Sequence, residues 1–388
     1  MRGLMATVIT LAVASACGGS AAKSPAPPTS ASPASERSVD ASSFDAIAPG
    51  WRTDFTRASV PGTEFRSGGP GKDGIPAIDQ PKFVPPGEAT FLDEREPVLA
   101  LAIDGDARAY PVQILIWHEL VNDVVGGTPV AVSYCPLCNS SVVFDRRVQG
   151  RVLDFGVSGL LRNSDLVMYD RETESWWQQI TGEALVGAFN GVRLEAVPSS
   201  TFSFADFRAA YPEGTVLSRD TGFARDYGRT PYRSYDESGS TPFLFDGTLD
   251  ERLDPVERVV TVQVGADAAA YPFSRLAEHP AVDDAVGGQP IVVFYRKGTV
   301  SPLDRSSIRE SKDVGSAVVF ARGVDAKTLT FETRAGEFRH VETGSVWDMT
   351  GVARSGPLAG TVLGRVQHDT SFWFAWAVFR PETRIWQP

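Results

Sequence analysis

The residues whose type and spacing most clearly indicate chemistry in this chain are two cysteines, Cys135 and Cys138. They lie in a short turn between two runs of β-forming residues, 130–134 and 142–144. A Cys-Pro-x-Cys turn between strands is typical of a metal knuckle, in which both thiolates face one ion. The residue after the second cysteine takes a positive φ in such turns, which Asn139 tolerates better than most residues. The sequence therefore predicts a turn that presents two soft ligands to a metal.

Two further residues are candidates to complete this site. His118 offers an imidazole, a common ligand of copper and zinc, and Met168 offers a thioether suited to Cu(I). The alternative for His118 is a structural hydrogen bond at the end of a helix. The alternative for Met168 is core packing, because it lies on a strand with alternating apolar residues.

A polar stretch over 158–179 exceeds what packing requires. Within it, Arg162, Asn163 and Asp165 are predicted to support the metal ligands by hydrogen bonds or to bind a small ligand beside the turn. The alternative is a local Asx turn with surface ion pairs. His368 precedes an aromatic cluster late in the chain and is a candidate to reach across a domain interface, with a surface position as the alternative.

The cysteine pair supports three functional hypotheses. The first is a soft-metal site, with Cu or Zn as the only expected cofactor. The second is a redox enzyme whose thiols cycle between dithiol and disulfide on exported proteins. The third is a ligand-binding or scaffold protein in which a disulfide staples the turn. The sequence has no Ser-His-Asp order, phosphate loop, dinucleotide glycine motif or His-Glu-x-x-His helix that would identify an enzyme class. Whether the protein is an enzyme stays open, and so does the identity of any protein partner.

The N-terminal segment 1–17 has the pattern of a bacterial lipoprotein signal peptide. Arg2 precedes an apolar run over 4–13 that is too short to span a bilayer, and small residues precede Cys17. We therefore predict that Cys17 is lipidated, with an ordinary secretory signal as the alternative. Residues 18–50, rich in Ala, Ser and Pro, are predicted to form a flexible tether. The expected location is the cell envelope, outside the cytoplasm, with the lipid as the membrane contact.

The charge balance argues against nucleic acid as a partner. The chain carries 37 Lys and Arg against 48 Asp and Glu, a formal net charge of −11, and it has no basic run. No later segment is long and apolar enough to span a bilayer. The length that remains after the tether suffices for two ordinary domains, each with its own core.

An internal repeat is the strongest organisational signal. An Ala-Tyr-Pro sequence, a histidine and a Gly-Gly turn recur in the same order and at one constant spacing in the second half of the chain. The second copy has no cysteine, and Val314 and Ser316 occupy its matching turn, so we place the site in the first copy alone. The matching segments are 109–111 and 270–272, His118 and His279, 122–129 and 283–290, 142–144 and 318–320, and 202–205 and 372–375.

We predict a mainly β fold with a few helices, of the α+β class, built from two tandem, pseudo-symmetric copies of one β-rich unit. Short β-runs are separated by Gly-Gly and Asp-Gly turns, and 113–121 and 202–211 are the predicted helices. The predicted segments are the signal peptide 1–17, the tether 18–50, an irregular N-terminal segment 51–95, the first repeat 96–218, an irregular connector 219–255 and the second repeat 256–388.

These motifs resemble a family of prokaryotic secreted proteins and lipoproteins catalogued as a domain of unknown function (number 3179). The resemblance covers nearly all of 90–388 and departs from the family at Asn139, where the family usually has Gly. It implies the extent of the domain and its export, and it brings no activity. The motifs that carry it are Trp-His-Glu at 117–119, Cys-Pro-Leu-Cys at 135–138, Asn-Ser-Asp at 163–165, Met-Tyr-Asp-Arg at 168–171 and the aromatic segment 372–376.

Overall fold

Strands account for 40% of the structure and helices for 10%, which confirms the predicted mainly β class. The computed structural model describes residues 39–388. The predicted signal peptide, Cys17 and most of the predicted tether lie outside the described residues. The end of that tether packs against the fold, because Phe44 in the 3-10 helix Ala41–Phe44 is buried with its ring 5.7 Å from that of Trp176.

The first half of the described chain has fifteen strands and two helices. The strands are β1 (Phe65–Ser67), β2 (Phe83–Val84), β3 (Pro97–Ile103), β4 (Asp106–Pro111), β5 (Leu120–Val125), β6 (Thr128–Cys135), β7 (Ser140–Asp145), β8 (Arg147–Val148), β9 (Arg151–Val152), β10 (Phe155–Arg162), β11 (Asp165–Asp170), β12 (Trp176–Gln178), β13 (Ala184–Val186), β14 (Ser200–Ser203) and β15 (Thr215–Leu217). The helices are α1 (Val112–His118) and α2 (Phe204–Ala210).

The second half has fourteen strands and two short helices. The strands are β16 (Arg258–Val264), β17 (Asp267–Pro272), β18 (Ala281–Val286), β19 (Gln289–Arg296), β20 (Ser316–Ala321), β21 (Gly323–Val324), β22 (Lys327–Thr328), β23 (Phe331–Arg334), β24 (Glu337–His340), β25 (Val346–Trp347), β26 (Ala353–Ser355), β27 (Gly364–Arg365), β28 (His368–Phe372) and β29 (Arg384–Ile385). The helices are α3 (Phe273–Leu276) and α4 (Trp373–Ala377).

The two halves pair their strands in the same order. In the first half the sheets run β14-β3-β4-β15-β2, β5-β6-β7, β8-β9 and β1-β10-β11-β12-β13. In the second half they run β28-β16-β17-β29, β18-β19-β20-β27, β21-β22 and β23-β24-β25-β26. This agreement in order is what a repeat requires, and the superposition of the two halves stays a prediction.

Both predicted helices exist, and both are shorter than predicted. Helix α1 ends before Glu119, whose backbone has a left-handed φ of +58°, and the β-branched residues that follow form β5. Helix α2 begins after Ser203, whose side chain accepts a hydrogen bond from the Asp206 backbone N–H at 3.1 Å. The caps, rather than the apolar pattern, therefore set the helix boundaries.

The strand ladders correct one of the repeat matches. Phe202 pairs with Val98 in the first half, whereas Phe372 pairs with Arg258 in the second. Since Arg258 is the counterpart of Pro97 at the constant spacing of the repeat, Phe372 occupies the position of Ser203. The aromatic match between 202–205 and 372–375 was therefore out of register by one residue, because hydrophobic similarity does not report strand pairing.

The extra residues of the second half lie between β19 and β20, at 297–315, where the first half has only the cysteine turn. This segment holds the connector, which has neither strands nor helices. Thr230 N–H donates to Ser306 O at 3.0 Å, and Ser234 N–H donates to Asp304 O at 2.9 Å. The connector was predicted as irregular, and the insertion supplies the backbone partners that it would otherwise lack.

A buried ion pair fastens the connector to the second half. Asp236 accepts hydrogen bonds from Arg258 at 2.6 Å and from Ser301 at 2.6 Å. Burial of the Asp236 carboxyl raises its pKa, but the charge of Arg258 and these hydrogen bonds outweigh that effect and leave the pKa below its usual range. The carboxylate is thus charged and paired inside the protein.

We predict that Asp236→Asn lowers the free energy of unfolding by about 3 kcal/mol at pH 7, because it leaves the Arg258 guanidinium buried without its counter-ion. Since the folded-state pKa of Asp236 is lowered, its contribution is present above about pH 4 and is lost in acid as the carboxyl takes up a proton. Urea unfolding of both proteins across this pH range measures the difference.

Asp226→Asn is the matched control on the same connector. Its ion pair with Arg229, at 3.2 Å, is exposed, and breaking it should change the unfolding free energy by less than about 1 kcal/mol. Equal effects of the two substitutions would contradict the assignment of Asp236 as the anchor of the connector.

Candidate metal centre

The turn after β6 has the predicted geometry. Cys135 ends the strand, and Asn139 has a φ of +48°. The Asn139 N–H donates to Pro136 O at 3.2 Å, and the Tyr134 hydroxyl donates to the Asn139 side-chain oxygen at 3.2 Å. Both cysteines are free thiols, and both are buried.

A second turn faces the thiols. Asn163 and Ser164 join β10 to β11 and both have positive φ, as in a type I′ hairpin turn. The Ser164 carbonyl accepts hydrogen bonds from the thiols of Cys135 at 3.8 Å and Cys138 at 3.5 Å. This turn therefore brings the next residue, Asp165, to the cysteines.

Asp165 joins the two thiols in one buried group. The Sγ atoms of Cys135 and Cys138 and a carboxylate oxygen of Asp165 lie within 4.8 Å of one another. Gln178 Nε2 and the Ile180 N–H donate to Asp165 Oδ2 at 2.6 and 3.0 Å. The other oxygen, Oδ1, is buried without a hydrogen-bond partner in the protein. One oxygen is therefore held by two N–H donors, and the other has no hydrogen-bond partner.

Burial sets the protonation of this group. It raises the pKa of both thiols, and it raises the pKa of Asp165 to about 6 despite the hydrogen bonds of that carboxylate. Glu119 has a pKa of about 8, because it is buried and because the charge of Asp165 acts on it. The site thus concentrates acidic groups where an anion is costly unless a positive charge accompanies it.

Glu119 is a residue that the sequence analysis missed. The left-handed backbone at this position turns the chain from α1 into β5, and the Glu119 carbonyl accepts the Tyr134 N–H at 2.8 Å. Its counterpart in the second half is Pro280, at the constant spacing of the repeat. The sequence did contain a signal for Glu119. The second copy lacks this charged residue just as it lacks the two thiols.

Arg162 supports the group indirectly. Its Nη1 donates to Gln178 Oε1 at 3.2 Å, and Glu64 holds its Nε at 2.8 Å. Since Gln178 in turn donates to Asp165, Arg162 helps to fix the orientation of that amide. The polar stretch that was predicted to support the site thus contains one residue of the group, Asp165, and two residues that position it.

The structure places the two other predicted ligands, His118 and Met168, differently. The ring nitrogens of His118 contact Pro76 O at 2.7 Å and the Tyr227 hydroxyl at 2.6 Å, so the imidazole has other partners and is not in the group with the thiols. Met168 is fully buried opposite Trp177, in the same apolar core as the cysteines. His118 is therefore separate from the group, whereas Met168 as a thioether ligand stays a prediction.

His368 reaches across to the first half, but away from the cysteines. Its Nε2 lies 3.3 Å from the Ser200 hydroxyl, and its Nδ1 lies 2.8 Å from Val366 O. Burial lowers the pKa of His368 to about 4, so the imidazole is neutral at pH 7. The predicted contact between the halves exists, and its role is in packing β14 against β28.

The connector and the second half cover the thiols. Tyr232 and Tyr235 pack against the core that contains the cysteines, and burial raises the pKa of Tyr235 to about 12. The Phe372 N–H, at the end of β28, donates to Cys138 O at 2.8 Å. Residues remote in sequence therefore close the site, and no local pattern predicted them.

Among residues 39–388, no helix has the length and apolar character needed to cross a membrane.

We predict that the metal-free protein loses stability as the pH rises because of Asp165. Its folded pKa of about 6 lies above its ordinary value, so its contribution is complete below about pH 4 and is lost as the pH rises through 6. Between pH 4 and 7.5 the wild type should lose about 2–3 kcal/mol more unfolding free energy than Asp165→Asn, which cannot ionise. Parallel urea-unfolding curves for the two proteins over this range would refute the assignment.

Comparisons with known proteins identify the family. A search of curated proteins found no significant match to the chain, and a search of solved structures found none either. The model of one family, described as a protein of unknown function (DUF3179), matches residues 72–383, which include the cysteine turn, Glu119 and Asp165. The resemblance found in the motifs is thereby confirmed, and the chain belongs to the DUF3179 family.

Proposed function

We propose that the protein binds a zinc ion through Cys135, Cys138 and Asp165. The observation that carries this proposal is the convergence of two thiols and one carboxylate within 4.8 Å, with Asp165 Oδ1 lacking any other partner. In a fully buried position an unpaired carboxylate oxygen costs free energy, and a bound cation removes that cost.

The third ligand favours zinc over copper. Zn²⁺ accepts sulfur and carboxylate oxygen in one tetrahedral site, whereas Cu(I) prefers thiolate and thioether ligands. Two thiolates and one carboxylate carry three negative charges, which a divalent ion largely balances. Glu119, whose charge raises the pKa of Cys135, is the candidate for the fourth position, with water as the alternative.

The thiol surroundings disfavour the redox hypothesis. A reactive dithiol needs a lowered pKa and an exposed sulfur, whereas Cys135 and Cys138 are 1% and 0% exposed and burial raises the pKa of both. A protein substrate has no access to either sulfur in this conformation. A redox pair and a structural disulfide are therefore alternative outcomes of the test below.

We also propose that the protein is attached to the membrane from outside the cytoplasm by a lipid on Cys17. The support is the apolar run of 4–13 followed by small residues before that cysteine. In an oxidising compartment, a bound metal would protect Cys135 and Cys138 from forming a disulfide.

We predict that the reduced wild-type protein carries about one zinc per chain and that Cys135→Ser and Cys138→Ser each lose it. Removing one thiolate leaves too few ligands, so the double variant should be no worse than either single variant. Elemental analysis by mass spectrometry, together with melting temperature, measures this. Asp165→Asn should weaken zinc binding while leaving both thiols intact.

Val314→Ala and Ser316→Ala are the matched controls, because they alter the corresponding turn of the second half. Both should keep the metal. Full metal retention in Cys135→Ser, or no copper or zinc in the reduced wild type, would eliminate the metal proposal. A disulfide staple would instead show as a loss of about 2–3 kcal/mol in stability with no bound metal.

A separate prediction concerns the lipid. Cys17→Ser should move the protein from the membrane fraction to the soluble fraction, because lipidation of this cysteine is the proposed membrane anchor. Immunoblots of both fractions after a salt wash test this, with Cys135→Ser as a control that should remain in the membrane. A Cys17→Ser protein that stays membrane-bound would contradict the lipoprotein assignment.

A further inference from the structure

A large cleft lies between the two halves, on the side where β7 faces β16 and β28. It has a cavity volume of about 400 Å³, within the range of small-molecule sites. Its wall from the first half is largely apolar, and its wall from the second half is polar and charged. We name it the charged cleft, and its defining residues are Phe144, Ile180, Thr261, Gln367, Asp369 and Arg380.

Two opposite charges, on Asp369 and Arg380, face this cleft from the second half without meeting, and a third charged side chain, Arg193, lines it from the first half and is paired with Glu183 at 3.4 Å. Asp369 and Arg380 act on each other electrostatically, yet within the described residues they form no ion pair with each other, so their charged atoms are more than 4.0 Å apart. Arg380 instead stacks on Trp376, 4.1 Å from the ring centroid, and donates from Nε to Gln263 at 2.7 Å. The gap leaves room for a molecule that carries both charges.

The hydrogen-bonding capacity of this wall is also incomplete. Gln367 donates to Asp369 Oδ1 at 3.1 Å, but its own Oε1 is buried and has no partner. Arg380 Nη1 is likewise buried without a partner. One unused acceptor and one unused donor at the same wall are unusual in a native interior unless a ligand or water completes them.

The repeat supplies an internal comparison. The other side of the interface has an equivalent cleft, formed by β20 of the second half against β3 and β14 of the first, with a volume of only about 20 Å³. There Arg365 donates to Ala102 O and, at 3.5 Å, to the Tyr211 hydroxyl. Arg365 pairs with Phe320, as Ala196 pairs with Phe144, so an arginine fills one cleft where an alanine leaves the other open.

The polar groups are also specific to the open cleft. The strand ladders place Asp369 opposite Thr261 and Ser200 opposite Ala100, which are corresponding pairs. Arg380 follows the N-cap of α4, Phe372, at the same distance in sequence as Tyr211 follows the N-cap of α2, Ser203. The residues Gln263, Gln367, Asp369 and Arg380 thus stand where the filled cleft has Ala102, Pro198, Ser200 and Tyr211.

We propose that the charged cleft binds the zwitterion of an apolar α-amino acid, with its carboxylate on Arg380, its ammonium group on Asp369 and its side chain against Phe144 and Ile180. Arginine binds carboxylates in a planar, charge-assisted geometry, and its stacking on Trp376 holds the guanidinium in place. Burial raises the pKa of Asp369 to about 6, and a bound ammonium group stabilises its ionised form. None of the proposed metal ligands lines this cleft, although the Ile180 N–H holds Asp165, so the proposal does not rest on a bound metal.

The test is calorimetric titration of the full-length protein with L-leucine, using 4-methylpentanoate and isopentylamine as probes that each lack one of the two charges. L-leucine should bind saturably, and each single-charge probe should bind at least about 10-fold more weakly. Asp369→Asn and Arg380→Gln should each weaken L-leucine binding by about 10- to 100-fold. Ser200→Ala and Tyr211→Phe, at the equivalent positions of the filled cleft, should leave it unchanged.

Ala196→Arg covers the case in which Arg380→Gln fails to fold. This substitution places an arginine in the open cleft at the position that corresponds to Arg365 of the filled cleft. It should therefore abolish L-leucine binding and leave the melting temperature unchanged or higher. The proposal is overturned if the wild type shows no saturable binding of L-leucine at millimolar concentration. The proposal is also overturned if 4-methylpentanoate binds with the same affinity as L-leucine, or if the folded Ala196→Arg variant binds L-leucine with the wild-type affinity.

Discussion

Two thiols and a carboxyl group held together in the interior impose the main physical constraint on this structure. Each of these groups can ionise, and burial raises the pKa of all three. The surrounding residues provide hydrogen-bond partners for both thiols and for one oxygen of the carboxyl group. Gln178 and the Ile180 N–H hold one oxygen of Asp165, and the Ser164 carbonyl accepts from both thiols. The oxygen that remains unpaired is what makes a cation the simplest completion of the site.

This constraint explains why the cysteine turn is enclosed by distant parts of the chain. A turn between two strands is normally at the surface, where water reaches its polar groups. Here the insertion at 297–315 holds the connector, the connector places its tyrosines over the core, and the end of β28 hydrogen-bonds to Cys138. The second half therefore contacts the cysteine turn directly although it carries no thiol.

The two halves differ in their contacts as well as in the cysteine turn. The equivalent clefts at the interface differ in volume by a factor of about twenty. The side chain of Arg365 fills the smaller cleft, and Ala196 is at the corresponding position of the larger one. The open side has Gln263, Gln367, Asp369 and Arg380 where the filled side has Ala102, Pro198, Ser200 and Tyr211. Where two copies share a framework, such a one-sided gain of buried polar groups marks function more clearly than packing does, because packing alone would favour apolar residues at both positions.

Local residue preferences and spacing were enough to predict the β-rich class, the turn at Cys135 and Cys138 and the positive φ of Asn139, and they marked Asp165 as a candidate to support the metal ligands. The sequence also placed the cysteine turn in the first of the two predicted copies alone. The remaining features depend on the packing of the whole chain. This packing joined Asp165 to the thiols, gave His118 other partners, brought Glu119 into the same surroundings and set the register that separates Phe202 from Phe372. Contacts between strands far apart in sequence, and the burial that shifts each pKa, arise from packing of the whole chain, and no local pattern encodes them.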